Sequence, residues 1–391
     1  MTKIFLSAFL VSLFNLTFSF AQGQADFYKN GDSLYKIKDY KNSALAFADG
    51  IRAEGQAAST GRYRSCAASW ALDGEADSAF YYLNLISKSE KANKVIAHNI
   101  EYGVDFISLK NDKRWQPVLI KIQNQAEVNG YPQEEFIYGR KDGIGLTLVQ
   151  IKPKIKSNGK GILIVISGGF VSSYNGIEFQ IASAEQFLAK GYTVFAIMHG
   201  SYPRYAIPDA VNDIKRAIRH VRYNAGKFGI DPDHIGITGG SAGGHLSLTV
   251  ATADDKISTT ASDPVDRVSS RVQAVAVLYP PTDLLNYGEP GKVFRENTTL
   301  YGAVTDTAAR NKIGREISPL NFVSPDDPPV FIMHGDADTV VPLQQSQAII
   351  ARFNEAGVPN RFIIKKGGKH NGNDMNPEAM EFVDWFDTYL K

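Results

Sequence analysis

Residues 236–248 read GITGGSAGGHLSL, a single serine set between small residues with a helix-like run behind it. Gly239-Gly240-Ser241-Ala242-Gly243 matches G-x-S-x-G, a pattern in which small flanking residues let the chain turn sharply from strand to helix and leave the serine strained and exposed at the tip. The match alone is weak in a chain with 34 glycines. Its context is what carries weight. HIGITG before it (234–239) reads as a short buried strand, and the run from Ala242 reads as a helix whose first N–H groups and positive dipole end face the serine. An ordinary glycine-rich turn would need neither neighbour.

Working outward, the chain from about residue 134 alternates between strand and helix patterns. IGLTLVQI (144–151) alternates like a half-exposed strand, whereas KGILIVI (160–166) is a continuous apolar run of the kind found in parallel strands buried on both faces. YTVFAIM (192–198), VQAVAVLY (272–279), PVFIMHG (329–335) and RFIIKK (361–366) extend the series. Between them lie helical stretches at 176–190, 207–229, 342–357 and 377–390; in the second, Val211, Ile214, Ile218 and Val221 fall on one helical face. Such alternation predicts an α/β fold, a mostly parallel sheet covered by helices on both faces.

In an open parallel sheet the working residues sit just past the carboxyl ends of the strands. That rule selects Ser167-Gly168-Gly169-Phe170, His199-Gly200-Ser201, Ser241, Pro280 to Asp283, Asp336 with Asp338, and His370. A serine hydroxyl is a poor nucleophile at neutral pH and needs a base that is itself oriented by a third group. With Ser241 as nucleophile and the chain order serine, acid, histidine, the base is His370 in KKGGKHNG; His245, one turn into the helix, and His334, at a strand end, read as structural. The acid lies on the loop MHGDADTVVP, which offers Asp336 and Asp338; spacing does not separate them. Donors for an oxyanion come from the glycine N–H groups of ISGGF, Gly168 and Gly169, and from the N–H of Ala242 directly after the serine. The segment His199-Gly200-Ser201 reads equally as pocket lining or as a strand cap.

The N-terminal third is different. Residues 1–23, MTKIFLSAFLVSLFNLTFSFAQG, carry one early lysine, an apolar run and a small-x-small site ending at Ala21, the pattern of a secretory signal peptide over 1–21. The chain is therefore expected to be exported to the periplasm or beyond, without a stable membrane anchor. Residues 22–130 have no strand-like alternation, but Tyr28, Tyr35 and Ala44 recur 35 residues later as Tyr63, Trp70 and Ala79. That period resembles paired tetratricopeptide-like helices, with the small residue where two helices approach. These helices carry no cluster of titratable groups and read as a packing element or a surface for a protein partner. Cys66 is the single cysteine, which excludes an intramolecular disulfide. Forty-two basic against 41 acidic residues leave no field that would favour nucleic acid.

With these residues assembled, 134–391 resembles the α/β-hydrolase fold. ISGGF, the run PDAVNDIKRAIRHVRYNAGKFGIDPDHIGITGGSAGGHLSL, MHGDADTVVP and GGKHNG are together similar to a bacterial group of hormone-sensitive-lipase-like esterases that includes acetyl xylan and feruloyl esterases and shades into the prolyl oligopeptidase family. The resemblance implies Ser241 as nucleophile, His370 as base and Asp338, the second carboxylate of its loop, as acid. It implies a carboxylic ester substrate, an acetyl or feruloyl ester of a saccharide among them, hydrolysed through an acyl-enzyme with neither metal nor organic cofactor. Relatives commonly carry a histidine or proline and a third glycine where this chain has Ile166 and Ser167. Two other readings use the same residues: an exported serine peptidase with the same triad, and an inactive hydrolase domain carried by an interaction module of helices. The segment 281–325 is expected to cover the site and shape its pocket.

Overall fold

A computed structural model of the chain describes residues 27–55, 58–92, 94–174, 184–287, 306–372 and 379–391. The expected signal peptide, much of the stretch 176–190 that the sequence predicts as helix, and part of the expected covering segment lie outside these. The chain divides into two compact units, with the boundary between Gly130 and Tyr131.

The first unit is helical: α1 (27–36), α2 (Tyr40–Glu54), α3 (Thr60–Leu72), α4 (Ala76–Ile86), α5 (Lys94–Glu101) and α6 (Trp115–Asn129). Local chemistry starts the helices. The Asp39 carboxylate accepts from the Asn42 N–H and the Ser59 hydroxyl from the Arg62 N–H, satisfying donors that a helix start leaves without partners. Small residues line the closest approaches: Ala44, Ala67, Ala68, Ala71 and Ala79 are buried, and the Ser43 and Ser69 hydroxyls meet at 3.0 Å. Around them, Phe80, Leu83, Ile86, Ile100, Phe106, Trp115 and Ile122 form one core, and Tyr28, Phe47, Ile51 and Cys66 a second.

The second unit is built on one eight-stranded sheet in the order β1-β2-β4-β3-β5-β6-β7-β8. The strands are β1 (Gln133–Lys141), β2 (Ile144–Ile151), β3 (Gly161–Val165), β4 (Thr193–Ile197), β5 (Ile235–Gly240), β6 (Ala274–Leu278), β7 (Val330–Gly335) and β8 (Asn360–Lys365). β1 and β2 run antiparallel; from β4 through β3 to β8 every pairing is parallel. Every residue of β3, β4 and β7 is buried, because helices cover both faces and leave no side of the pleat for water. Alternate residues divide between two cores. Leu163, Val165, Ile235, Ile237, Val275 and Val277 pack beneath α8 (Ile207–Tyr223), the short α9 (Ala225–Phe228) and α10 (Ala242–Thr252). Ile162, Ile164, Val194, Ala274 and Phe331 pack beneath the described part of α7 (184–189) and the last helix, Ala379–Tyr389. This is the α/β-hydrolase arrangement. The segment after β6 also holds an exposed helix, α11 (Thr307–Glu316), followed by α12 (Gln344–Ala356) after β7 and α13 (Ala379–Tyr389) at the end.

Candidate active site

The turn between β5 and α10 is where the fold puts its strain. Ser241 has φ 54° and ψ −122°, a conformation that non-glycine residues rarely adopt and that persists only when the surroundings impose it. Here they do. The Ser241 N–H donates to the Leu278 carbonyl on β6 (3.0 Å), and the Ser241 carbonyl accepts from the His245 N–H (2.9 Å), opening the helix. The flanking glycines are required by contact: a Cβ on Gly239 would stand 2.6 Å from the Gly243 carbonyl carbon, and one on Gly243 would stand 2.6 Å from the Val165 carbonyl oxygen on β3. Strand and helix therefore cross too closely for any side chain, and the serine is pushed out beyond the sheet.

Three side chains from three loops meet there. The Ser241 hydroxyl lies 2.9 Å from His370 Nε2, and His370 Nδ1 lies 2.7 Å from Asp338 Oδ2. Because a carboxylate oxygen only accepts, Nδ1 carries the proton and Nε2 is left to accept from the serine hydroxyl. Asp338 has no exposed side-chain surface, and burial alone would raise its proton affinity; hydrogen bonds from His334, His370 and the Val341 and Val340 N–H groups outweigh that and hold the carboxyl well below the usual carboxylate range. Asp336, two residues earlier, turns the other way and accepts from the Gly367 N–H in the β8 exit loop (2.6 Å). What separates the two carboxylates is the turn at 336–341, not their spacing.

The glycine loop after β3 forms a tight reversal. The Gly168 N–H donates to the Val171 carbonyl (2.9 Å) and Val171 returns the bond (3.0 Å), with Gly169 and Phe170 both at positive φ between them. Gly168's N–H is thus already engaged and does not face an oxyanion, a correction to its place among the expected donors. Gly169 N–H and Ala242 N–H have no acceptor among the described residues, and Ala242, first in its helix, has no intrahelical partner by construction.

His199 holds this loop. Its Nδ1 donates to the Gly200 carbonyl (2.8 Å), so its Nε2 accepts from the Ser167 hydroxyl (2.9 Å); Ser172 and Ser201 add three further bonds between the same two segments. Burial pushes the His199 pKa down, which favours the neutral ring this pairing needs. Ser167 is therefore a tether between the glycine loop and His199. His245 is fully buried, bonded through Nδ1 to the Pro281 carbonyl (3.0 Å) and edge-on to Phe170. One participant had no sequence signal. Tyr279, past the end of β6 at φ 36°, lays its ring 4.4 Å from that of His370 and faces Gly240. An aromatic at a strand end looks like core in a sequence.

Among the described residues no group of three or more histidine, cysteine or carboxylate side chains could hold a metal ion, and no helix is long and apolar enough to cross a membrane.

Residues 149–353, a little over half of the chain, match the family model described as BD-FAE. Esterase LipQ of Mycobacterium tuberculosis is 33% identical over 189 residues, 47% of this chain; the chain spans 44% of the length of that relative. A solved truncated carbohydrate esterase from gut microbiota superposes with a TM-score of 0.57 at 29% identity, covering 66% of this chain and 97% of that one. An acetyl ester-xyloside bifunctional hydrolase from Caldicellulosiruptor lactoaceticus gives 0.54 at 26% identity, over 66% and 94%.

Proposed function

The chain belongs to the BD-FAE family, and from that premise we propose that it is a serine esterase acting on small carboxylic esters, acetyl or feruloyl esters of saccharides in particular. The observation that carries the reading is the unbroken chain Ser241 Oγ, His370, Asp338, with both links at hydrogen-bond length. In the first step His370 Nε2 takes the hydroxyl proton as Ser241 Oγ bonds to the ester carbonyl carbon, and the carbonyl oxygen gains charge. The N–H groups of Gly169 and Ala242 receive that oxyanion. His370 then returns the proton to the leaving alcohol, and the acyl group stays on Ser241. Water attacks the acyl carbon with its proton passing to the same nitrogen, and the acid leaves as Ser241 recovers its hydrogen. Asp338, held ionised, keeps the imidazole in the required tautomer and stabilises it when charged.

The saccharide preference draws on the carbohydrate esterase and the xyloside-linked hydrolase among the structural neighbours. Export follows from the N-terminal pattern of charge, apolar run and small residues, and the helical unit then serves as a surface for a protein partner. The test is a panel of p-nitrophenyl acetate, acetylated xylo-oligosaccharides, feruloylated saccharides and prolyl peptides, run with the purified chain and with Ser241→Ala. We expect hydrolysis of the esters and a loss of at least about 10³-fold in kcat for the variant, whose residual rate rests on the oxyanion donors and binding alone. Peptide cleavage in preference to the esters points to the peptidase reading; undiminished ester hydrolysis by Ser241→Ala refutes the assignment.

A further inference from the structure

Asp338 Oδ2 is approached by two imidazoles. One is His370 at 2.7 Å; the other is His334, the fifth residue of β7, whose Nε2 stands 3.4 Å away and whose side chain has no exposed surface. That same Nε2 lies 2.9 Å from the Val341 carbonyl oxygen, an atom that only accepts, so Nε2 carries a proton. On the far side, His334 Nδ1 meets the hydroxyl of the buried Ser346, on α12, at 2.7 Å. The other carboxylate oxygen, Oδ1, receives the Val340 and Val341 N–H groups at 2.8 and 2.9 Å. The whole turn 338–341 is thus closed on one ring: His334 reaches its first residue through the carboxylate and its last through the carbonyl.

We propose that His334 is a positioning residue for the acid, whose Nε2–H, shared between the Val341 carbonyl and Asp338 Oδ2, fixes the carboxylate so that Oδ2 faces His370 while Oδ1 takes the backbone donors. The proposal rests on the esterase reading of the site. The geometry argues for a role beyond filling space. Burying an imidazole with all its polar atoms matched is more demanding than burying leucine, and the matched atoms here all lead to the acid loop. A carboxylate held by backbone donors on one oxygen alone is free to tilt about its own axis; a second donor beside Oδ2 removes that freedom.

The experiment measures kcat and KM on p-nitrophenyl acetate, together with thermal midpoints, for the full chain and for His334→Ala, His334→Gln, Ser346→Ala and Ser241→Ala. His334→Ala is expected to lower kcat by about 10- to 100-fold, the size of one charge-assisted hydrogen bond, with KM within about two-fold. His334→Gln places an amide N–H near the Nε2 position and is expected to recover most of that loss. An unchanged kcat in a folded His334→Ala, or equal losses in the Ala and Gln variants, overturns the proposal. If His334→Ala does not fold, Ser346→Ala decides: a several-fold loss in kcat at constant KM supports the clamp, and no loss overturns it. Ser241→Ala keeps the two failures apart, since full activity there refutes the esterase reading, whereas an inactive Ser241→Ala beside unaffected His334 and Ser346 variants refutes the positioning role alone.

Discussion

At the scale of single residues, the histidines of this unit show how position in the fold decides protonation. His245 lies one turn inside α10, fully buried, and burial pushes its pKa down to about 4, against the hydrogen bond it gives the Pro281 carbonyl. In the unfolded chain the same ring titrates near 6.5. Above that value both states are neutral and stability is unaffected; as pH falls from about 6.5 toward 4 the unfolded chain binds a proton that the folded chain refuses, and stability drops by an amount on the order of a few kcal/mol. Urea midpoints of the parent should therefore fall over that range more steeply than those of His245→Gln, and parallel slopes would contradict the account. Much of the residue-scale pattern was legible beforehand, since a serine in a glycine frame and a late histidine in a glycine loop advertise themselves. The choice between Asp336 and Asp338 was not legible from spacing, because two carboxylates two residues apart on a loop differ only in which way the turn directs them. Nor was the fate of Gly168, whose N–H is consumed by a bond to a residue only three positions on.

At the scale of elements, the site depends on how closely α10 crosses β3. Gly243→Ala is expected to put a methyl group against the Val165 carbonyl oxygen, 2.6 Å from the new Cβ. The obstacle is backbone on a central strand, so the helix must yield, and Ser241 and Ala242 move with it. We expect a loss of about 1–3 kcal/mol in stability from overpacking, with kcat reduced more than KM; unfolding curves and initial rates on a simple ester would check both. Central strands were easy to read, since burial on both faces leaves a continuous apolar run. β1 was not. Its sequence QEEFIYGRK is polar and lies at the sheet edge, and among its nine residues only Tyr138 is buried, anchoring through its hydroxyl to the Met198 carbonyl at 2.6 Å. α11 was equally hidden: with one buried residue, Gly314, it shows no apolar stripe.

At the scale of the molecule, every residue assigned a role at the site belongs to the unit that begins at Tyr131, and that unit has two cores of its own. A chain starting at 131 is therefore expected to fold and to hydrolyse p-nitrophenyl acetate with a kcat within about three-fold of the parent, a difference too small for loss of even one ordinary hydrogen bond to the transition state. A loss of activity with a preserved circular dichroism spectrum would assign the helices a part in catalysis. The period of 35 residues is visible in the sequence through its recurring aromatic and small residues, while the boundaries of the helices follow from capping groups such as Asp39 and Ser59, residue types that ordinary surface loops also contain.

Cys66, the single sulfhydryl of the chain, is wholly enclosed between helices of the first unit, its hydrogen directed to the Ala44 carbonyl and its ionisation pushed up to about 12 by burial. No disulfide-forming reagent can reach it while the helices stay closed. The speed at which such a reagent consumes the sulfur is consequently a stopwatch on transient opening of the helices around it, read without any engineered label.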